Sequence, residues 1–191
     1  MSANVNRPVL SDPGVLQALS HPVRLDVLDY LMASGPATAS ECARAVGDSP
    51  SNCSYHLRVL GSHGLVEPVD SSDGRTRPWR ATITGFTMDV GSDEASEAGA
   101  AALLAASMEL DAHLGRDYVR HRNDLPPEWR AVDSYASYGL RVTPPELTDL
   151  LARLDALIRP FIAPTRGDAP DDARTVHLSV AALPRTGFDR S

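Results

Sequence analysis

The residues best suited to chemistry lie between Ser49 and Leu65. The run Ser49-Pro50-Ser51-Asn52-Cys53-Ser54-Tyr55-His56-Leu57-Arg58-Val59-Leu60 opens with a capping serine and a proline at the first helical position, which marks a helix start. At helical spacing Cys53, Leu57 and Leu60 share one face and should be core. Ser51, Asn52, Ser54, Tyr55 and Arg58 take the opposite face. Their chemistry is hydrogen bonding: short hydroxyls bond phosphates or base edges, and an asparagine amide can pair an adenine edge. Ser49 would cap the helix close to a backbone phosphate. His56 is open between two roles, a phosphate contact or a brace against the helix before it. Arg75 and Arg77, with Arg80 further along, follow an Asp-Gly turn signal. At a hairpin tip they would lie by phosphates or the minor groove. The plainer alternative is a charged turn that keeps a sheet edge soluble.

Those residues need elements to position them. Asp12-Pro13 starts a short first helix, and Ser20-His21-Pro22 starts a second with Val23, Val27, Tyr30 and Leu31 on one face. Gly35-Pro36 ends it. Thr38, with Glu41 three residues on, forms a capping box for a third helix that Gly47 stops. The fourth runs from Ser49-Pro50 to about His63. After Gly64 the period changes to alternation on either side of Ser72-Asp73-Gly74-Arg75, which predicts a two-stranded hairpin that must pack on the helices. A long helix then ends near Asn123, with two apolar stripes. Leu103, Ala106, Leu110, Leu114 and Tyr118 form one; Leu104, Met108, Ala112, Gly115 and Val119 form the other. A helix apolar on two sides needs cover on two sides, one of them from a second protomer. Beyond Pro126-Pro127, Tyr135 to Thr143 reads as a strand, Pro144 to Pro160 as a helix, and Val176 to Leu183 as a last strand, a small βαβ-like unit.

Composition narrows the function classes. The chain has 191 residues, 42% hydrophobic and 23% charged, enough for a core. The net charge of −7 counts mildly against a nucleic-acid partner, but a small locally basic face suffices on an acidic protein. All 18 positive residues are arginine, so any permanently cationic phosphate contact is an arginine contact. No apolar run predicts a membrane span, no signal peptide is visible, and Cys42 and Cys53 are too few for a disulfide framework. A cytoplasmic location is expected. No Ser-His-Asp elbow, phosphate loop or supported carboxylate pair predicts an enzyme, and no cofactor, metal or catalytic residue is expected.

Two short helices with a tight turn, followed by a hairpin, are the parts of a winged helix-turn-helix, whose second helix enters the major groove. Leu16-Gln17-Ala18-Leu19-Ser20-His21-Pro22-Val23-Arg24-Leu25 with Val27-Leu28 resembles the opening helices of the ArsR/SmtB-like transcriptional regulators. Ser49 to Leu60, then His63-Gly64-Leu65-Val66, resembles that family's recognition helix and entry to its wing. The resemblance spans about residues 12–86. It implies a sequence-specific DNA-binding regulator, a repressor on an inverted-repeat operator, acting as a homodimer on double-stranded DNA. Pro50 replaces a polar residue frequent in the family. The family's thiolate metal site is missing, since the third helix has Cys42 alone. Asp111-Ala112-His113 resembles the first half of its zinc site, but His121 and Asp124 are out of register for the second. Alternatives are a winged-helix protein-interaction module and a metal-sensing repressor using the long helix.

The expected fold class is therefore mainly α with small β. Residues 1–11 form a tail, 12–90 a winged helix-turn-helix DNA-binding domain, and 91–124 a long dimerisation helix. Residues 125–191 form an α/β region for dimerisation or effector binding. Within it Trp129, Tyr135 and Tyr138, with Tyr118, would either line an apolar pocket for a small-molecule effector or form an aromatic core and dimer surface.

Overall fold

The computed structural model of the chain describes residues 7–70, 77–88, 93–162 and 166–185. The order is β1 (Val9–Leu10), α1 (Pro13–Leu19), α2 (Pro22–Ser34), α3 (Ala39–Val46), α4 (Pro50–Ser62), β2 (Val66–Pro68), β3 (Trp79–Ala81), β4 (Thr87–Met88), α5 (Glu94–His121), α6 (Pro127–Val132) and α7 (Pro144–Ile158). Short 3-10 turns follow α5 and α7. The fold is mainly helical with a small β component, a winged helix-turn-helix and a long helix.

Local chemistry explains the helix starts. The Asp12 carboxylate accepts from the Val15 N–H at 2.9 Å. Thr38 and Glu41 close the capping box on α3, with the Thr38 N–H donating to Glu41 Oε2 at 2.7 Å. Ser49 Oγ accepts from the Asn52 N–H at 3.1 Å, and Pro50 supplies a preset φ at the first position of α4. Each cap satisfies an amide the helix cannot. Gly47 ends α3 at φ 69°, where a side chain would be strained, and this lets the chain turn at once into α4.

One core gathers α1 to α4, the wing and the start of α5. Leu16, Leu19, Leu28, Leu57, Leu60 and Leu103 are fully buried in it. Helix α5 closes on α1 at Gly99, where an added Cβ would meet Leu16 Cβ at 3.0 Å. Strands β2 and β3 pair antiparallel, Val66 opposite Ala81 and Pro68 opposite Trp79. Trp79 also bridges to Ala37 between α2 and α3, through N–H to O bonds of 2.8 and 2.9 Å in the two directions. β1 and β4 pair in parallel, Val9 with Thr87 and Leu10 with Met88.

The C-terminal βαβ-like unit is corrected. Helix α7 lies at the expected place, opened by a Thr143–Glu146 capping box. Tyr135 to Thr143 and Val176 to Leu183 are not strands, and among the described residues neither segment joins a ladder. Alternation says which side chains share a face; a strand also needs a neighbour to bond its backbone. Neither segment has that neighbour among the described residues.

Candidate nucleic-acid interface

Helix α4 divides as its spacing requires. Cys53, His56, Leu57 and Leu60 are buried, while Ser51, Asn52, Tyr55 and Arg58 are exposed and Ser54 is half-buried. Its buried side packs on α3 and α2, and Gly61 gives the wing room. A Cβ on Gly61 would meet the Trp79 ring at 3.0 Å. α4 and the wing therefore meet closely, and Arg58 and Trp79 line a shallow open groove of about 420 Å³ between them, with Glu67 and Thr82.

Most of the sequence-predicted residues lie together at one end of α4. Ser49 is exposed, and its hydroxyl is engaged as the cap. Asn52 is exposed, but its side-chain amide donates to Asp48 Oδ2 at 2.7 Å. Arg58 Nε donates to the Ser54 carbonyl at 3.1 Å, laying the guanidinium along its own helix. Arg77 is exposed, two residues before β3. Arg75 lies outside the described residues. Arg80 pairs across the ladder with Glu67, Nε to Oε1 at 2.7 Å.

His56 does not sit with the others. It is 3% exposed and packs its ring 4.9 Å from that of His21, the residue before α2, and 5.5 Å from Tyr55. Neither ring nitrogen has a hydrogen-bond partner among the described residues. Burial, then the proximity of His21 and Arg24, holds its pKa below the ordinary value, so it is a neutral packing group. It braces α4, though against the start of α2 rather than against α3.

Asp48 escaped the sequence reading. Its Oδ1 accepts from the Ser49 N–H at 2.6 Å, beside the bond to Asn52. A carboxylate is at home at a helix N-terminus, where the dipole favours it. The signal was available, since an aspartate stands directly before Ser49-Pro50.

The remaining candidates are dispersed. Cys42 and Cys53 are free thiols, fully buried, and burial pushes the Cys42 pKa up to about 11, which disfavours the reactive thiolate. Asp111 accepts from His177 Nε2 at 2.8 Å and from Ser179 Oγ at 2.6 Å, and His121 turns its Nδ1 to Asp117. Among the described residues no three His, Cys, Asp or Glu side chains gather as metal ligands. The four aromatic residues do not line one pocket. Tyr135 and Tyr138 are 96% and 80% exposed, Tyr118 donates to Asp133, and Trp129 lies under the Arg174 guanidinium. No described helix is long and apolar enough to cross a membrane.

Residues 19–69 match the helix-turn-helix domain family. No curated protein matches the chain significantly. Among solved structures, the chain is similar to the homodimeric winged helix-turn-helix DNA-binding domain of a possible ArsR-family transcriptional regulator from Mycobacterium bovis. The identity is 28% over 54% of this chain and 81% of that one, with a TM-score of 0.34. It is similar to a possible transcriptional regulator for arsenical resistance at 30% identity, over 56% of this chain and 97% of that one, with a TM-score of 0.33. A transcriptional regulator homologue from Pyrococcus horikoshii is 29% identical over 49% of this chain and 88% of its own, with a TM-score of 0.33.

Proposed function

We propose, from the premise that the chain is a winged helix-turn-helix DNA-binding regulator of the ArsR-like type, that it is a cytoplasmic repressor holding an inverted-repeat operator as a homodimer. One observation carries the reading: the exposed side of α4 is polar, and the opposite side is buried core. In this reading Ser51, Asn52, Ser54 and Tyr55 meet base edges from the N-terminal half of α4. Ser49, Arg58, Arg77 and Arg75 meet phosphates. Residues 12–90 are the reading unit, and 91–124 with 125–191 join two of them.

Two-fold symmetry follows from the task. One winged unit reaches a few base pairs, and a pair reads half-sites about one helical turn apart, roughly 34–36 Å. Bound there, the dimer occludes polymerase. The polar face of α4 disfavours a protein-interaction role, because a docking helix would present apolar anchors.

The test is fluorescence anisotropy against the promoter upstream of the chain's own gene, across a salt series. Arg58→Ala should weaken binding and lower the slope of log K against log salt by about 1, the share of one phosphate contact. An unchanged affinity and slope refutes the role of Arg58. Equal binding to unrelated duplex refutes sequence-specific reading.

A further inference from the structure

The reading unit buries an imidazole that bonds to nothing. His56 is 3% exposed, between the outward Tyr55 and the core residue Leu57 of α4. A neutral imidazole carries one donor and one acceptor, and buried groups of this kind are normally bonded. Neither His56 nitrogen has a partner among the described residues, and neither does Nδ1 of His21. The two rings stand 4.9 Å apart, tilted by 46°. An apolar side chain would fill such a site with no nitrogen left unbonded, so packing alone does not account for the pair.

The pair sits where a charge would act on the reading face. His21 is the N-cap of α2, and His56 lies midway along α4, so the contact is part of the seat of α4 on α2. The Tyr55 ring, proposed to meet base edges, stands edge-on to His56 at 5.5 Å. Three charged or titratable groups bear on His56. His21 and Arg24, from the α2 side, oppose a proton there, and Asp48, before α4, favours one. None of these charges comes from α3 or β2, which also pack on α4, among the described residues. Arg24 is held where it is by the Ala18 carbonyl, to which its Nε donates. The attracting carboxylate of Asp48 is already bonded to the Ser49 N–H and the Asn52 amide. A cation on His56 would thus be buried, beside two groups of its own sign, with its counter-charge engaged elsewhere. Such a group reaches water instead of staying charged in place.

We infer that the His21–His56 contact is a proton-operated release, in which one proton taken up by His56 unseats α4 from α2 and frees the operator in mild acid. The inference rests on the operator-binding reading above and adds the signal that ends it. The seated state holds the His56 pKa below 6.5, chiefly through burial, whereas an unseated, solvated ring returns towards 6.5. Affinity is therefore full above the solvated value and is lost as pH falls through the seated one. The sign is diagnostic. Acid makes exposed histidines such as His113 and His121 cationic, which by itself tightens binding to phosphates. A chain that bound by charge alone would grip harder in acid, and this one should let go.

The experiment uses the full chain and its promoter duplex, by anisotropy at fixed salt from about pH 7.5 to about pH 5.5. Wild-type affinity should fall with acid, the slope approaching about tenfold per pH unit for one proton. His56→Phe fills the site with a ring that takes no proton. It should hold neutral-pH affinity within about twofold and abolish the acid loss. His21→Ala removes the facing ring and part of the burial, and should move the loss to higher pH. Histidine Cε1–H resonances give a readout without DNA: the signal absent from His56→Phe, or failing that the one moved in His21→Ala, should titrate below 6.5 in the free wild-type chain. It should titrate lower still in the operator complex, because operator and proton exclude each other. Wild-type binding that holds or tightens in acid overturns the release and leaves the operator reading standing. So does an acid loss that His56→Phe retains, or a His56 resonance that titrates at or above 6.5. A chain that binds no promoter duplex at any pH overturns the operator reading and the release with it.

Discussion

Asp48 lets stability and DNA affinity be driven in opposite directions. Its carboxylate sits beside the N-terminal end of α4, accepting from the Ser49 N–H at 2.6 Å and from the Asn52 side-chain amide at 2.7 Å. Replacing it with alanine removes two charge-assisted bonds and a favourable dipole interaction, together about 1 kcal/mol at an exposed helix end. For a chain of this size, that lowers Tm by roughly 2–4 °C. The same end of α4 is the end proposed to approach DNA. A carboxylate about 6 Å from a phosphate, in water, costs about 0.7 kcal/mol, which is a factor of about three in affinity. Asp48→Ala should therefore melt earlier and bind operator about threefold tighter at low salt. The gain should fall away once the Debye length drops below the separation, at about 0.3 M salt. Asp48→Asn should keep much of this bonding and show the same gain. Circular dichroism gives the melting, and anisotropy across salt gives the affinity. Weaker binding by Asp48→Asn, with α4 intact, refutes the reasoning. The carboxylate would then serve readout by holding Asn52 in place.

Three further outcomes follow from the packing. Leu57→Ala removes a fully buried side chain from the core side of α4 and should cost about 2–5 kcal/mol in urea unfolding, with operator affinity preserved below the transition. Gly99→Val forces a Cβ against Leu16 and should cost about 1–3 kcal/mol by thermal melting, since α5 cannot close on α1. The native pKa of His56 lies below its ordinary value of 6.5, so the unfolded chain binds the proton more readily. Its share of stability is full above the unfolded pKa and is lost as pH falls through the native one. His56→Phe should flatten stability against pH below about 6.5, and an unchanged slope in urea titrations contradicts burial of the neutral ring.

The reading half was legible because its signals are local. Asp12, Thr38 with Glu41, and Ser49 each act within three residues, so their caps could be placed from spacing alone. His56 shows where residue type misled. It stands three after Cys53 and four before Leu60, which is core spacing, yet its polarity kept the surface role open. Pro126-Pro127 signals a stop to the long helix, but proline also opens helices, and α6 begins at Pro127. β1 and β4 span two residues each, too short for any period to show. The C-terminal strands failed for a different reason. Val176, Leu178 and Val180 do alternate with polar residues, but alternation holds no information about whether a neighbouring strand is there to bond the backbone.

The bridge between Trp79 and Ala37 has a mechanical consequence. The wing is clipped to the α2–α3 connection by a reciprocal pair of backbone bonds, and its tryptophan lies against Gly61 of α4. Moving the wing off the α2–α3 connection breaks that pair, so in the proposed reading wing and α4 meet the duplex together. In the proposed dimer, a signal that loosens the grip from outside the reading unit would work on the spacing or tilt between two such units, which the long helix would set.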